Sequence, residues 1–337
     1  GKIMMTQGKS MDKKDKPIKK IIIQIPCFNE EKTLPATLNA LPRKIENGHT
    51  IEWLVIDDGS TDKTSEVARS LGADHIILHY QNLGLARAFM TGIDACLERG
   101  ADIIVNTDAD NQYNAECIPD LVNPILKNEA EIVIGARPIQ EIKHFSIIKK
   151  FLQRLGTWGV GLASGTKILD APSGFRAFSR QAAMQINVFS NYSYTLETII
   201  QAGQRGLTVK SVPVKTNEFL RPSRLLKSIP SYIWRQVLTI IRIFMTYRSF
   251  RFFALPGMIS FCFGFLIGLR FIFYYFSDSG AGHIQSLLLS VLLMGSGFFL
   301  VISGLLADLI SVNRKLLEKI TSRVQKIEEI IRQQDEQ

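Results

Sequence analysis

Five short apolar, β-branched runs punctuate the first 135 residues: Lys20–Ile25, Ile51–Ile56, His75–His79, Asp102–Thr107 and Glu131–Gly135. Runs of this length read as buried strands. Between them apolar residues return every three to four positions over Glu30–Leu41, Asp62–Leu71, Leu85–Arg99 and Ala115–Lys127, which predicts helices. Strand and helix alternate, so the pattern predicts an α/β fold: a mostly parallel sheet with helices on both faces. A helix-rich stretch is expected over about 143–206, and one more strand at Thr208–Val214.

The pattern then changes twice. In residues 215–251, Ile229, Ile233, Val237, Ile240 and Phe244 recur at helical spacing, with Arg235 and Arg242 on another face. That predicts an amphipathic helix drawn to anionic lipid, the plainer alternative being a helix packed on the domain with a solvated basic face. Two almost wholly apolar runs follow, Phe252–Phe276 broken by Arg270 and Ile284–Val312 broken by Asp308. Each exceeds the roughly 20 residues needed to cross a bilayer. From Asn313 onward, Leu316, Leu317, Ile320, Val324, Ile327 and Ile331 return at the spacing of a short coiled-coil seam. This predicts a homo-oligomer; the alternative is a lone amphipathic helix lying on the domain or the membrane. Five segments result: a basic, disordered N-terminus at 1–18, a catalytic domain at 19–218, juxtamembrane amphipathic helices at 219–250, a transmembrane hairpin at 251–312 and a cytoplasmic helical tail at 313–337.

Charge sharpens the picture. The net charge of +9 fits either nucleic acid or an anionic membrane surface. Eight basic residues against the single acid Glu218 crowd into 215–251, directly before the apolar runs. Membrane is therefore the expected partner and nucleic acid is not. Ser277–His283 lacks Lys and Arg, while Arg248, Arg251, Arg314 and Lys315 flank the two runs. The positive-inside rule then puts the domain and the tail on the cytoplasmic side of a multi-pass protein of the cell (inner) membrane. Arg270 and Asp308 are costly in lipid, and pairing with each other, lining an oligomer interface or snorkelling would each relieve that cost. The four cysteines have neither metal-ligand nor disulfide spacing, which fits a reducing cytosol.

The strand ends carry the candidate chemistry, because ligands of α/β sheets bind beyond the carboxyl ends of strands. Asp108 and Asp110 follow one predicted strand, with Gln112 a step on. Oxygen ligands at that spacing suit a hard cation, Mg²⁺ or Mn²⁺, and such a cation can hold a diphosphate. Pro26-Cys-Phe-Asn-Glu-Glu31 ends the first strand, and its acidic pair also reads as a helix start. Asp57-Asp-Gly-Ser-Thr-Asp62 ends the second; a carboxylate there can accept from a base or ribose, and Thr61 or Asp62 can cap a helix. Asn82-Leu-Gly-Leu-Ala-Arg87 opens a helix whose N-terminus and Arg suit a phosphate or sugar hydroxyl.

These segments in order, with Gly135-Ala-Arg137 and Asp170-Ala-Pro-Ser-Gly-Phe-Arg176, resemble family 2 glycosyltransferases of GT-A fold over about residues 20–220. The last two segments are similar to the polyprenyl-phosphate glycosyltransferases, the dolichol-phosphate mannose synthase-like group. One cytosolic domain with two C-terminal spans resembles the bacterial bactoprenol glucosyltransferase branch. The resemblance implies that Pro26, Phe28, Glu30, Asp57, Asp58, Asn82, Arg87 and Asp108 bind the nucleotide sugar, and that Asp108, Asp110 and Gln112 hold the metal. It implies that Arg137, Arg221, Ser223, Arg224 and Lys227 meet the acceptor phosphate, with Pro222-Ser223-Arg224 in place of the usual Gly-Ser-Lys-like group. Asp110, Arg137 and Asp170 are the catalytic candidates, Asp170 orienting the sugar, acting as a weak base or only capping its turn. The expected activity is inverting, metal-dependent transfer of a hexose, first of all glucose from UDP-glucose, to a polyprenyl phosphate. A processive polysaccharide synthase fits less well, since Trp234-Arg235-Gln236 runs opposite to the Gln-x-x-Arg-Trp of that class. Intact Asp108, Asp110, Gln112 and Arg137 disfavour a non-catalytic membrane-anchored scaffold.

Overall fold

A computed structural model describes residues 18–45, 48–138, 168–188, 194–217, 249–277 and 284–335, with isolated positions at 157, 161, 165, 238, 241 and 245. The first half alternates as expected: β1 (Lys20–Cys27), α1 (Leu34–Ala40), β2 (Lys44–Ile45), β3 (His49–Asp57), α2 (Thr64–Ser70), β4 (His75–Leu78), α3 (Leu85–Glu98), β5 (Ile103–Asn106), α4 (Ile118–Leu126) and β6 (Ile132–Ala136). Then come β7 (Arg176–Ser179), α5 (Arg180–Ala183), α6 (Tyr194–Gln204) and β8 (Val209–Pro213).

The strands form one sheet in the order β2-β3-β1-β5-β7-β6-β8, with β4 also on β3. β1 lies parallel to β3 and β5, β3 to β4, and β6 to β8. β7 runs antiparallel to both β5 and β6. This corrects the helix-rich expectation for 143–206, because a central strand lies within that stretch. Arg-Ala-Phe-Ser is too short and too polar at its ends to signal a strand alone; its place between two neighbours makes it one. The sheet is therefore mixed at its centre.

Side chains alternate across the sheet and build two cores. Ile21, Ile23, Ile25, Val55 and Val105 pack with Leu34 and Leu38 of α1 and with Leu121, Val122 and Ile125 of α4. Ile22, Leu54, Ile56, Ile104 and Ile134 pack on the other face with Phe89 and Ile93 of α3 and with Ile199 and Ile200 of α6. The layers are helix, sheet, helix. The parallel strands β1, β3 and β5 deliver their carboxyl ends to one edge.

Two long helices complete the described chain: α7 (Ser249–Ser277) and α8 (Ile284–Asp335). Ser249–Ser277 and Ile284–Asn313 are each long and apolar enough to cross a membrane. They pack closely because small residues face each other. A Cβ on Gly257 would meet the Gly297 carbonyl at 2.8 Å, and one on Gly264 the Met294 nitrogen at 2.8 Å. Ser290 donates to the Gly264 carbonyl at 2.7 Å and Ser260 to that of Leu293 at 2.9 Å, so polar groups join the apolar helices. This register puts Gly268 beside Ser290 and Gly304 beside Phe250 and Ala254. Arg270 and Asp308 thus lie at opposite ends of the hairpin and do not pair. Arg270 instead sits over the Tyr274 ring, 5.6 Å from its centroid. The tail expected from residue 313 is a direct continuation of α8.

Candidate active site

The carboxyl ends of β1, β3 and β5 bring together three of the predicted segments. Cys27, the last residue of β1, pairs in register with Asp57 of β3. Burial pushes the Cys27 thiol well up, and the nearby carboxylates Glu30, Asp57, Asp62 and Asp108 push it further. This strand edge is therefore strongly acidic. A diphosphate is repelled from such a place unless a cation accompanies it.

The acidic residues are held differently. Asp57 accepts from the Ser60 amide at 2.9 Å and from the Ser65 hydroxyl. Glu30 accepts from the Thr33 hydroxyl, while its own amide donates to Thr64 Oγ1 at 2.8 Å. Asp58 holds neighbouring backbone in place. Its Oδ1 accepts from the Leu83 amide at 2.9 Å and lies 2.7 Å from His79 Nδ1; its Oδ2 accepts from the Gly84 amide at 2.8 Å. The Asp58 carboxylate thus fixes the entry to α3 and the Asn82–Arg87 segment. Gly59, at φ +70, lets the turn pass against the Gln81–Asn82 peptide, where a Cβ would collide with backbone. Pro26 is buried within β1, whereas Phe28 beyond it is 39% exposed. Asn82 and Arg87 are both exposed.

Asp108 and Asp110 follow β5 and are half-buried. Asp110 Oδ1 accepts from the Gln112 amide at 3.1 Å, which turns the chain there, and Asn111 takes φ 57 to close the turn. Asn217 fastens the turn from outside, donating to the Asn111 carbonyl and, through its own amide, to the Gln112 carbonyl, both at 2.9 Å. Asp108 lies against Gly174: a Cβ there would come within 3.1 Å of both carboxylate oxygens and 2.8 Å of the Tyr194 hydroxyl. Only a glycine lets the 173–175 backbone run this close.

The donor set fits a hard cation. Among the described residues no three His, Cys, Asp or Glu side chains cluster as a complete protein cage. Two carboxylates and an amide oxygen leave coordination positions for substrate oxygens, which is how Mg²⁺ sites at phosphates are usually built.

Arg137 and Asp170 form one unit. Arg137 Nε and Nη2 donate to the Asp170 oxygens at 2.7 and 3.1 Å, and the Arg137 amide adds a third bond at 3.2 Å. Asp170 is fully buried. The catalytic candidate Asp170 is thus enclosed, and its partner is the cation expected to reach the acceptor phosphate. Arg221, Ser223, Arg224 and Lys227 lie outside the described residues, as does nearly all of the predicted juxtamembrane helix.

Several supporting residues escaped the sequence reading. Tyr113 accepts from the Gly174 amide at 3.0 Å and stacks on Phe175 at 5.0 Å. Asn106 donates to the Gly174 carbonyl at 2.8 Å and to the Tyr194 hydroxyl at 3.0 Å, and it accepts from Gln24 at 2.9 Å. Arg176 is wholly buried and donates to the carbonyls of Ser173, Ala171 and Thr195 at 2.6 to 2.7 Å. Burial lowers its guanidinium to about 10. These residues fix the 171–175 segment against Asp108. The available signal was polar residues inside strands: Gln24 and Asn106 break otherwise apolar runs.

Comparison with known proteins fits this geometry. The model of the family "Glycosyl transferase family 2" matches residues 22–186. The chain is 30% identical over 223 residues to a UDP-N-acetylglucosamine–dolichyl-phosphate N-acetylglucosaminyltransferase of Methanococcus voltae, spanning 59% of this chain and 86% of that protein. It is 30% identical to a dolichyl-phosphate beta-glucosyltransferase of Trichomonas vaginalis, over 60% of this chain and 68% of that one. Glucosyl-3-phosphoglycerate synthase of Mycobacterium tuberculosis, solved with Mn²⁺, UDP-glucose and phosphoglyceric acid, superposes with a TM-score of 0.52 at 21% identity, over 70% of this chain and 85% of that one. The GT-A-like fold is thereby established.

Proposed function

Since the chain belongs to glycosyl transferase family 2, in its polyprenyl-phosphate group, we propose that it moves a hexose from a nucleotide sugar to a polyprenyl phosphate at the cytoplasmic face of a cell membrane. The observation that carries this reading is one chain joining an acidic strand-end site to two membrane-length helices. The site suits a cation-bound diphosphate, and the helices hold it where a lipid phosphate lies. UDP-glucose is the favoured donor, on the two-span resemblance and on the glucosyl relative. The N-acetylglucosaminyl relative makes UDP-N-acetylglucosamine the first alternative to test.

Each residue then has a task. Phe28, whose ring is exposed, is assigned to the base, and Asp57, at the carboxyl end of β3, to the ribose. Asp108, Asp110 and Gln112 hold the Mg²⁺ or Mn²⁺. When bound, the metal neutralises the departing diphosphate. The second pKa of a phosphate monoester is near 6, so the acceptor is already a dianion at neutral pH and needs little base assistance. Positioning and charge neutralisation dominate instead. Arg137, fixed by Asp170, supplies a rigid cation, with Arg221, Arg224 and Lys227 as further phosphate ligands. In-line attack on an α-linked donor gives a β-linked lipid-phosphate sugar.

The test is transfer by the full-length protein in nanodiscs, with undecaprenyl phosphate and a panel of UDP and GDP sugars, with and without chelator. A lipid-linked product that depends on metal and is lost in Asp110→Ala is expected. Undiminished transfer after chelation removes the metal assignment, and no product from any donor removes the activity.

A further inference from the structure

We propose that the part of α8 beyond the membrane is a parallel self-association seam joining more than two copies of this chain. Its partner in the hairpin, α7, is described from Ser249 onward, and Gly304 already packs beside Phe250. α8 nevertheless continues unbroken to Asp335. Leu316, Leu317, Ile320 and Val324 on this extension are between 47% and 66% exposed. Apolar residues this exposed on a helix leaving the membrane call for a covering partner.

The spacing identifies the partner. Ile310, Leu317, Val324 and Ile331 fall at heptad position a, and Asn313, Ile320, Ile327 and Gln334 at d. A steps-of-three-and-four repeat is the pattern that winds like helices into a left-handed coil. In the sequence Arg323 stands at g and Glu328 at the following e, opposite charges where neighbouring parallel chains meet. Every copy enters its tail from the same membrane face, so the tails run parallel. Ile at both apolar d positions disfavours two strands, and Leu316 and Ile330 at g widen the apolar face. Three or four chains fit these features.

The inference rests on the membrane reading of α7 and α8 but on no step of the transfer reaction, so failure of the activity leaves it standing. The test uses the full chain in nanodiscs with Cys262→Ala, since the other three cysteines are buried. Mild oxidation of Leu317→Cys is expected to give a covalent dimer, and of Ser322→Cys, at the outer position f, none. Mass measurement is expected to give three or four chains, falling to one in Ile320→Asp with Ile327→Asp. Equal crosslinking at 317 and 322, a one- or two-chain mass, or an unchanged mass in the double variant overturns it.

Discussion

Arg137 holds Asp170 in a forked ion pair, with Asp170 wholly enclosed and only a ninth of the Arg137 side chain exposed, at 11%. Breaking one half of such a pair strands the other. Asp170→Asn and Arg137→Ala are each expected to cost about 3–5 kcal/mol of stability, read from denaturant unfolding of the detergent-solubilised protein. Arg137→Met combined with Asp170→Leu should recover most of that, because a well-packed apolar pair often replaces a buried ion pair without loss. Transfer should remain lost in the double variant. Recovered transfer would show that the pair serves only the fold.

Phe28 and Pro26 separate on exposure. Phe28, just past the end of β1, is exposed, whereas Pro26 is buried in β1 opposite Ile56. Aromatic stacking on a base contributes about 1–3 kcal/mol by alanine substitution. Phe28→Ala is therefore expected to weaken UDP binding about five- to 150-fold in calorimetry at unchanged stability. Pro26→Ala should act mainly on stability.

The legibility of the chain follows the range of the forces involved. β1, β3 and β5 and the helices between them were readable because burial writes an apolar period into contiguous residues. The strand-end acids were readable because a parallel sheet collects its chemistry at one edge. β7 was not, since pairing with β5 and β6 defines it rather than its own sequence. The Arg137–Asp170 contact spans 33 positions and the Asn106–Tyr194 contact 88, so no local pattern reports either. The bonds from Asp58 to the Leu83 and Gly84 amides span 25 and 26 positions, so they too were invisible in the sequence.

Gly174 carries a sharp prediction. An added methyl would press on both Asp108 oxygens and on the Tyr194 hydroxyl. Gly174→Ala should displace Asp108 while the sheet beneath survives. Loss of such support around a metal ligand typically lowers metal affinity or activity about 10–100-fold. Titration with Mn²⁺ followed by paramagnetic resonance would show the weakened site directly. An unchanged Mn²⁺ affinity would remove Asp108 from the metal shell and leave it to the ribose.

Tyr113 makes stability depend on alkali. Burial raises its phenol to about 12, from an ordinary value of 10. A group whose folded pKa is raised contributes stability that is complete below its unfolded value and is lost as pH rises through the folded one. Stability should therefore fall from about pH 10 towards 12. Arg176 works in the opposite sense: burial lowers its guanidinium to about 10, so deprotonation there relieves a penalty. Comparison with Tyr113→Phe at each pH isolates the phenol. At neutral pH this variant loses the acceptor for the Gly174 amide, a cost of about 1–3 kcal/mol for a buried donor left unpaired. Above pH 10 the gap between variant and parent should narrow, as measured by chemical unfolding at fixed pH. Absorbance titration of the folded protein should show Tyr113 and Tyr194, whose phenol burial also pushes well up, ionising above the ordinary tyrosine value. A constant gap from pH 8 to 12 would mean that the Tyr113 hydroxyl is hydrated.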